Sequence, residues 1–328
     1  MKLLVLSARD VRGLLTFADC ARVLRDALAA RARGEVDQPL RTIVRPGQAA
    51  GLMALMPAYW RGGEEAFGLK AICVMPGNPA AGLDAHQGVV LLSSARTGEP
   101  VAVLNASAVT EIRTAAASAV ATGLLARPDA TELAVIGTGV QGRAHALAIA
   151  ATRPLTRIRM AGRDLARTTR VAADVQATAG VPVTACTTAR EAVTGAGIVV
   201  TATSSAEPVL RRDWLAPGAH INAVGACFPH TRELDSATMA AAALFADSRE
   251  SVASESGDFR LALAEGVIGP GHVRAEIGEI LAGQAAGRAS EQEITVFESL
   301  GLAVEDLAAA AHVYSLASRH GTGTWADF

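Results

Sequence analysis

The chain has 328 residues, enough for about two domains, and half of them are hydrophobic against 19% charged, which excludes an intrinsically disordered polypeptide. Thirty basic and 32 acidic residues leave a net charge of −2, too weak a field to gather nucleic acid or an anionic membrane, so small-molecule chemistry is expected and no nucleic-acid or membrane partner. Aromatics are only 4% while alanine and glycine abound, so the core packs small side chains closely.

Cys20, Cys73, Cys186 and Cys227 are too far apart for a metal or redox pair, and the histidines form no HxxxH or HExxH cluster. No metal is expected. The N-terminus, MKLLVLSARD, has one lysine and a short apolar run ending at Ser7, too short for a secretory signal, and reads as a first strand or the approach to a helix. No stretch reaches the ~20 strongly apolar residues of a membrane helix, so a cytoplasmic protein is expected.

Apolar residues at Ala18, Ala21, Leu24, Leu28 and Ala32 predict an amphipathic helix over Phe17–Arg33, ended by Gly34. Extended runs follow at Arg41–Val44, Gly51–Met56, Ala66–Val74, Val89–Ser93 and Val101–Asn105. Turn signals at Pro46-Gly47, Arg61-Gly62-Gly63, Pro76-Gly77-Asn78-Pro79 and Thr97-Gly98 separate them, which predicts an antiparallel or mixed sheet. Thr110 is a plausible cap for a helix over Glu111–Leu125. Beyond it strands alternate with helices. Strands are expected at Leu133–Ile136, Arg157–Ala161, Val183–Ala185, Ile198–Thr203, Ala219–Val224 and Leu244–Asp247, with helices over Gly142–Ala151 and Leu165–Ala179. That alternation predicts an α/β fold with a doubly wound parallel sheet of the Rossmann type. A last helix, Ala303–Ala317, lies beyond the series and is free to return to the first domain.

Gly137-Thr138-Gly139-Val140-Gln141-Gly142 follows a strand and opens a helix, the setting in which a GxGxxG turn admits a pyrophosphate to a helix N-terminus. The second strand ends at Gly162-Arg163-Asp164. An NAD site usually carries a carboxylate at that tip. Here Gly162 stands there, followed by Arg163, either a partner for a 2′-phosphate or a solvated residue, while Asp164 reads as the next helix cap. NADP(H) is favoured, with NAD(H) as the alternative.

The segments Pro39–Thr42, Gly68-Leu69-Lys70, Pro76-Gly77-Asn78, Leu83–Gln87, Glu111–Ala116, Gly137–Gly142, Pro217–Ala226, Arg232–Asp235 and Phe297–Asp306 occur in one order. Together they resemble the ornithine cyclodeaminase/mu-crystallin family across nearly the whole chain. The resemblance implies a homodimer built from a discontinuous α+β substrate-binding and dimerisation domain, placed at 1–115 with 303–328, and a Rossmann dinucleotide-binding domain at 116–302. It implies that Arg41, Lys70 and Arg113 are substrate-pocket residues. Arginines hold a carboxylate bidentately, and a lysine ammonium binds it or gives a proton to the reacting nitrogen. His86 and Leu300 join the substrate set, with Gln87 beside His86. The cofactor set is Thr114, Gly137, Gly139, Val140, Gln141, Gly142, Gly162, Arg163, Thr203, Val224 and Ser299. One departure stands out: cyclodeaminases carry an aspartate two residues after the glycine matching Gly225, and this chain has Cys227 there. The expected activity is therefore NAD(P)H-dependent reduction of an α-imino acid to an amino acid, or the reverse dehydrogenation. A cyclodeaminase and a non-catalytic ligand carrier are the alternatives.

Overall fold

Hydroxyl caps start the first two helices. Ser7 accepts from the Asp10 amide while Asp10 reaches back to the Ser7 amide, and Thr16 accepts from the Asp19 amide. In the computed structural model, which describes residues 2–61 and 65–328, these caps follow strand β1 (Lys2–Leu6) and open α1 (Ala8–Leu14) and α2 (Phe17–Ala32). Next come β2 (Val36–Asp37), β3 (Thr42–Val44), β4 (Leu52–Trp60), β5 (Ala66–Val74), β6 (His86–Ser94), β7 (Pro100–Asn105) and α3 (Ala106–Leu125). An alternating series follows: β8 (Glu132–Ile136), α4 (Val140–Thr152), β9 (Arg157–Ala161), α5 (Leu165–Ala179), β10 (Val183–Cys186), α6 (Ala189–Val193), β11 (Ile198–Thr201) and β12 (His220–Ala223). It continues with α7 (Ser236–Ala241), β13 (Ala243–Ala246), α8 (Arg249–Glu255), α9 (Gly257–Ala264), β14 (Val273–Glu276), α10 (Ile277–Leu281) and β15 (Thr295–Glu298). The chain closes with α11 (Ala303–His320) and β16 (Thr324–Asp327).

Two expectations are corrected. Helix α3 begins at Ala106, and its cap is Asn105, whose Oδ1 accepts from the Ala108 amide at 3.0 Å; Thr110 lies inside the helix. Nothing in Ala106–Val109 opposes helix, so the cap nearest the strand end prevails. Strand β4 runs on through Pro57 to Trp60. Pro57 falls in the gap between the residues that pair with β3 and those that pair with β2, so its missing N–H breaks no ladder bond on that side. Gly62 and Gly63 of the turn expected at Arg61-Gly62-Gly63 lie outside the described residues.

The chain divides into two compact units, Met1–Arg113 with Gly301–Phe328, and Thr114–Leu300, and α3 carries it from the first into the second. In the first unit, eight strands among the described residues form a mixed sheet in the order β16-β1-β7-β6-β5-β4-β2, with β3 also on β4. All its pairings are antiparallel except β1 with β7. Helix α11 lies on one face, against β5, and beside α2. On the other face the register lines up Val5, Val103, Leu91, Leu69 and Pro57 across five strands. In the second unit all pairs are parallel, in the order β10-β9-β8-β11-β12-β15-β13-β14. Strand order reverses between β8 and β11, and in open parallel sheets that switch point is where ligands bind, outside the carboxyl ends of the strands.

Candidate functional site

In the first unit the chemistry gathers where α11 meets β5. Lys70 lies on the helix-covered face of β5 and is 2% exposed. Gly68, on the same face, lets the helix approach: a Cβ there would stand 2.8 Å from Leu307 Cδ1. The first turn of α11 carries Glu305 and Asp306, both fully buried, where the partial positive charge of a helix N-terminus favours carboxylates. Asp306 Oδ2 lies 2.6 Å from Lys70 Nζ, and its Oδ1 accepts from Arg113 Nε at 3.0 Å. Glu305 accepts from Arg113 Nη1 at 2.8 Å. Two buried cations therefore meet two buried carboxylates.

Arg41 joins them through Gly301, whose carbonyl accepts from its Nη2 at 3.0 Å. Gly301 has a φ of +84°, and a Cβ on it would fall 2.5 Å from Arg113 Nη1. One glycine thus collects both arginines, Arg41 at its oxygen and Arg113 against its Cα. His86 pairs with Val74 at the far end of β5 and shares the face of Lys70. Burial, followed by the neighbouring Arg113, brings the Lys70 ammonium down to about 8, with Asp306 pulling the other way. Burial, then Lys70 and Arg113, lowers His86 below the ordinary imidazole value. Arg113 moves upward, because Asp306 and Glu305 together outweigh its burial.

In the second unit the turn after β8 is a cradle. Gly137 has a φ of +119°, and a Cβ there would meet the Ala202 carbonyl oxygen at 2.3 Å. A Cβ on Gly142 would meet the Gly137 carbonyl oxygen at 2.0 Å, so the helix packs on its own turn. Gly139 differs: nothing lies within 4 Å of its missing Cβ, leaving open space before the amides of Val140 and Gln141. Gly162 is crowded by Thr138 and Thr168, both at 2.9 Å from a Cβ, and Asp164 caps α5 by accepting from the Arg167 amide. Arg163 is exposed. At the ends of β12 and β15, Val224 donates to the Thr201 carbonyl, Ser299 to the Ala223 carbonyl and Leu300 to Asp247 Oδ2. The hydroxyls of Thr114 and Ser299 are buried, and neither has a hydrogen-bond partner among the described residues. Open space at the second glycine and two orphan hydroxyls fit a dinucleotide with a polar nicotinamide.

Arg41, Lys70, His86 and Arg113 thus share the first unit, and the cofactor set, with Leu300, belongs to the second.

A model of the ornithine cyclodeaminase/mu-crystallin family matches residues 1–321. The chain belongs to this family. It is 36% identical over 327 residues to a Δ1-pyrroline-2-carboxylate reductase of Bacillus cereus, covering 99% of this chain and all of that one. It is 40% identical to the ketimine reductase mu-crystallin of Mus musculus, covering 86% of this chain and 85% of the relative. Among solved structures, that of the Thermococcus litoralis Δ1-pyrroline-2-carboxylate reductase in complex with NADH and L-proline superposes with a TM-score of 0.95. It is 36% identical and covers 98% of this chain and 99% of that chain.

Sequence reasoning gave no role to three carboxylates. Glu305 and Asp306 look like ordinary helix-start acids, and only an apolar setting in the sequence, between Val304 and Leu307, hints that they are inside. Glu233 is buried and accepts from the Thr203 amide at 2.6 Å, the Thr203 hydroxyl at 2.7 Å and the Gly225 amide at 2.6 Å. It ties the loops after β11 and β12 together.

Proposed function

We propose that this protein reduces an α-imino acid of the ketimine type to an amino acid with a nicotinamide cofactor, and runs the reverse dehydrogenation when driven. The observation that carries this reading is the buried Lys70 ammonium beside the Arg113 guanidinium, with Arg41 held at the same glycine. Arg41 and Arg113 bind the substrate carboxylate. Of the two, Arg113 has Nε and Nη1 engaged by Asp306 and Glu305, so its orientation is set before substrate arrives. Lys70 gives the proton to the substrate nitrogen: with its ammonium near 8 it is charged at pH 7 yet close to release. His86, held neutral, adds no competing positive charge. The nicotinamide, when bound, supplies the hydride for the C=N carbon. Gly137, Gly139 and Gly142 hold its pyrophosphate, with Val140 and Gln141 amides as donors, while Thr114, Thr203, Val224 and Ser299 surround the rest.

NADP(H) is the cofactor we favour, since the β9 tip offers the exposed Arg163 and the nearest acid, Asp164, is spent on the α5 cap. The ketimine reductase and pyrroline carboxylate reductase relatives support reduction over cyclodeamination. So does Cys227, which packs against the apolar core where cyclodeaminases hold an aspartate. The apolar row across the open sheet face, with Met53, Phe67 and Val89 exposed and Phe67 lining a cavity of about 420 Å³, supports a homodimer through that face, and a cytoplasmic location completes the reading we propose.

The test is NADPH and NADH oxidation with 2-oxo acids plus ammonia or methylamine, alongside five- and six-membered cyclic imino carboxylates. Oxidation with a cyclic imine supports the reading; binding of NADPH without turnover of any of them overturns it. Ornithine with NAD+ should give no proline. Arg113→Lys, which keeps the charge that neutralises Glu305 but loses the fork, should lower kcat/KM by roughly two orders of magnitude. Light scattering should return twice the 33.6 kDa chain mass.

A further inference from the structure

We propose that Asp306 is a positioning residue: its two carboxylate oxygens, one on Lys70 Nζ and one on Arg113 Nε, fix the proton donor and the carboxylate clamp in a single register. This rests on the reductase reading and adds to it a residue that acts through Lys70 and Arg113.

The geometry separates Asp306 from its neighbour. Glu305 accepts from Arg113 at Nη1, so its loss would release one edge of that guanidinium. Asp306 holds two different cations, Oδ2 at 2.6 Å and Oδ1 at 3.0 Å, from one rigid plane. A carboxylate shared in this way sets the distance between the group that grips the substrate and the group that protonates it. Reduction needs that distance. One proton leaves Lys70 Nζ and forms the substrate N–H bond, and one hydride leaves the reduced nicotinamide and forms the C–H bond. The C=N bond becomes a single bond and the cofactor is oxidised. The proton must arrive at the nitrogen of a molecule held by its carboxylate two atoms away.

Asp306 also decides when Lys70 carries a proton. Among the described residues, four charged or titratable groups face Lys70: Arg113 from α3, Arg41 from the segment before β3, His86 from β6 and Asp306 from α11. The first two are cations that, with burial, pull the ammonium down; Asp306 alone of the four is an anion. Glu305, on the same helix turn, pairs with Arg113 at Nη1. Neutralising Asp306 should therefore let Lys70 lose its proton at lower pH.

The experiment is the pH profile of kcat/KM for cyclic imine reduction at saturating NADPH, in the wild type, Asp306→Asn and Glu305→Gln. The wild type should lose activity through an alkaline limb near pH 8. Asp306→Asn should move that limb down by about one unit or more, as loss of an adjacent opposite charge does, and cut kcat about tenfold or more at pH 7. Glu305→Gln should leave the limb in place and act on KM. An unmoved limb in folded Asp306→Asn overturns the proposal, as does an equal shift in Glu305→Gln. If Asp306→Asn does not fold, Lys70→Met/Asp306→Asn should, because the pair is then deleted together; a double variant that also fails overturns the assignment, since Asp306 would then serve the fold through Arg113. A wild type inert towards every imine refutes the reductase reading instead, and does so before any variant is made.

Discussion

Replacing Glu233 with glutamine removes one charge and turns one of its two oxygens into a donor. The carboxylate accepts three hydrogen bonds of 2.6–2.7 Å, two at Oε1 from Thr203 and one at Oε2 from Gly225. Glutamine does least harm with its carbonyl towards Thr203, but its NH2 then faces the Gly225 amide, donor against donor. One charge-assisted bond, worth ~2–3 kcal/mol, is lost outright, and the other two weaken to neutral bonds at a cost of ~1 kcal/mol each. Part returns, because burial holds the Glu233 carboxyl above its usual range despite those donors, so ionising it inside the fold is unfavourable and the neutral amide escapes that cost. The balance is about 2–4 kcal/mol, a fall in Tm of roughly 5–15 °C for a unit of this size. Gly225 cannot retreat, since its missing Cβ already points 2.0 Å from the Thr203 carbonyl oxygen. The strain therefore moves the Thr203 and Val224 loops, and NADPH, followed by its fluorescence, should bind about tenfold weaker or more. A variant that melts within ~2 °C of the wild type and binds NADPH as tightly would refute the reasoning.

Arg163→Ala should weaken NADPH by up to ~1.5–3 kcal/mol in calorimetric titration and leave NADH nearly unchanged; equal losses would remove the 2′-phosphate assignment. His145, bonded to Ser118 and the Gln141 carbonyl, and His220, bonded to Thr295, are pushed by burial down to about 4 and about 3. In NMR titration neither ring should protonate above pH 5. Both bind a proton near 6.5 in the unfolded chain but not in the folded one, so each withdraws stability as pH falls from 6.5, His145 by about 3 kcal/mol in all at pH 4.

What the sequence reveals divides along physical lines. The Rossmann unit is legible because apolar strands alternate with helices and because GxGxxG constrains backbone and ligand together. Strands β14 and β15, and β16 of the first unit, escape because four residues carry little period and, unlike the equally short β10–β13, they include charged residues, Arg274, Glu276, Glu298 and Asp327. Lys70, Arg41 and Arg113 are visible as cations in matching motifs, but their partners are not. Glu305 and Asp306 lie more than 190 positions from Arg113, and no local pattern records a pairing made by tertiary packing. Gly301 shows the same limit: its positive φ suits a turn, while its contact with Arg113 belongs to the fold. Thr110 failed as a cap because a better one, Asn105, stood at the strand end.

The return of the chain at Gly301 also sets a timetable. Lys70 and Arg113 leave the ribosome with their carboxylates still to be made, 193 residues behind in the case of Arg113 and Asp306. At about 5–20 residues per second that is a wait of roughly 10–40 s, during which two basic side chains destined for the interior have nothing to neutralise them. The Thr114–Leu300 unit holds all of its own strands and finishes synthesis inside that interval. The Thr114–Leu300 unit is thus the natural first product of folding, and the unit that holds Lys70 closes only when α11 arrives. Truncation ahead of α11 would strand the early half with unpaired charge in its core, a form more suited to proteolysis than to catalysis.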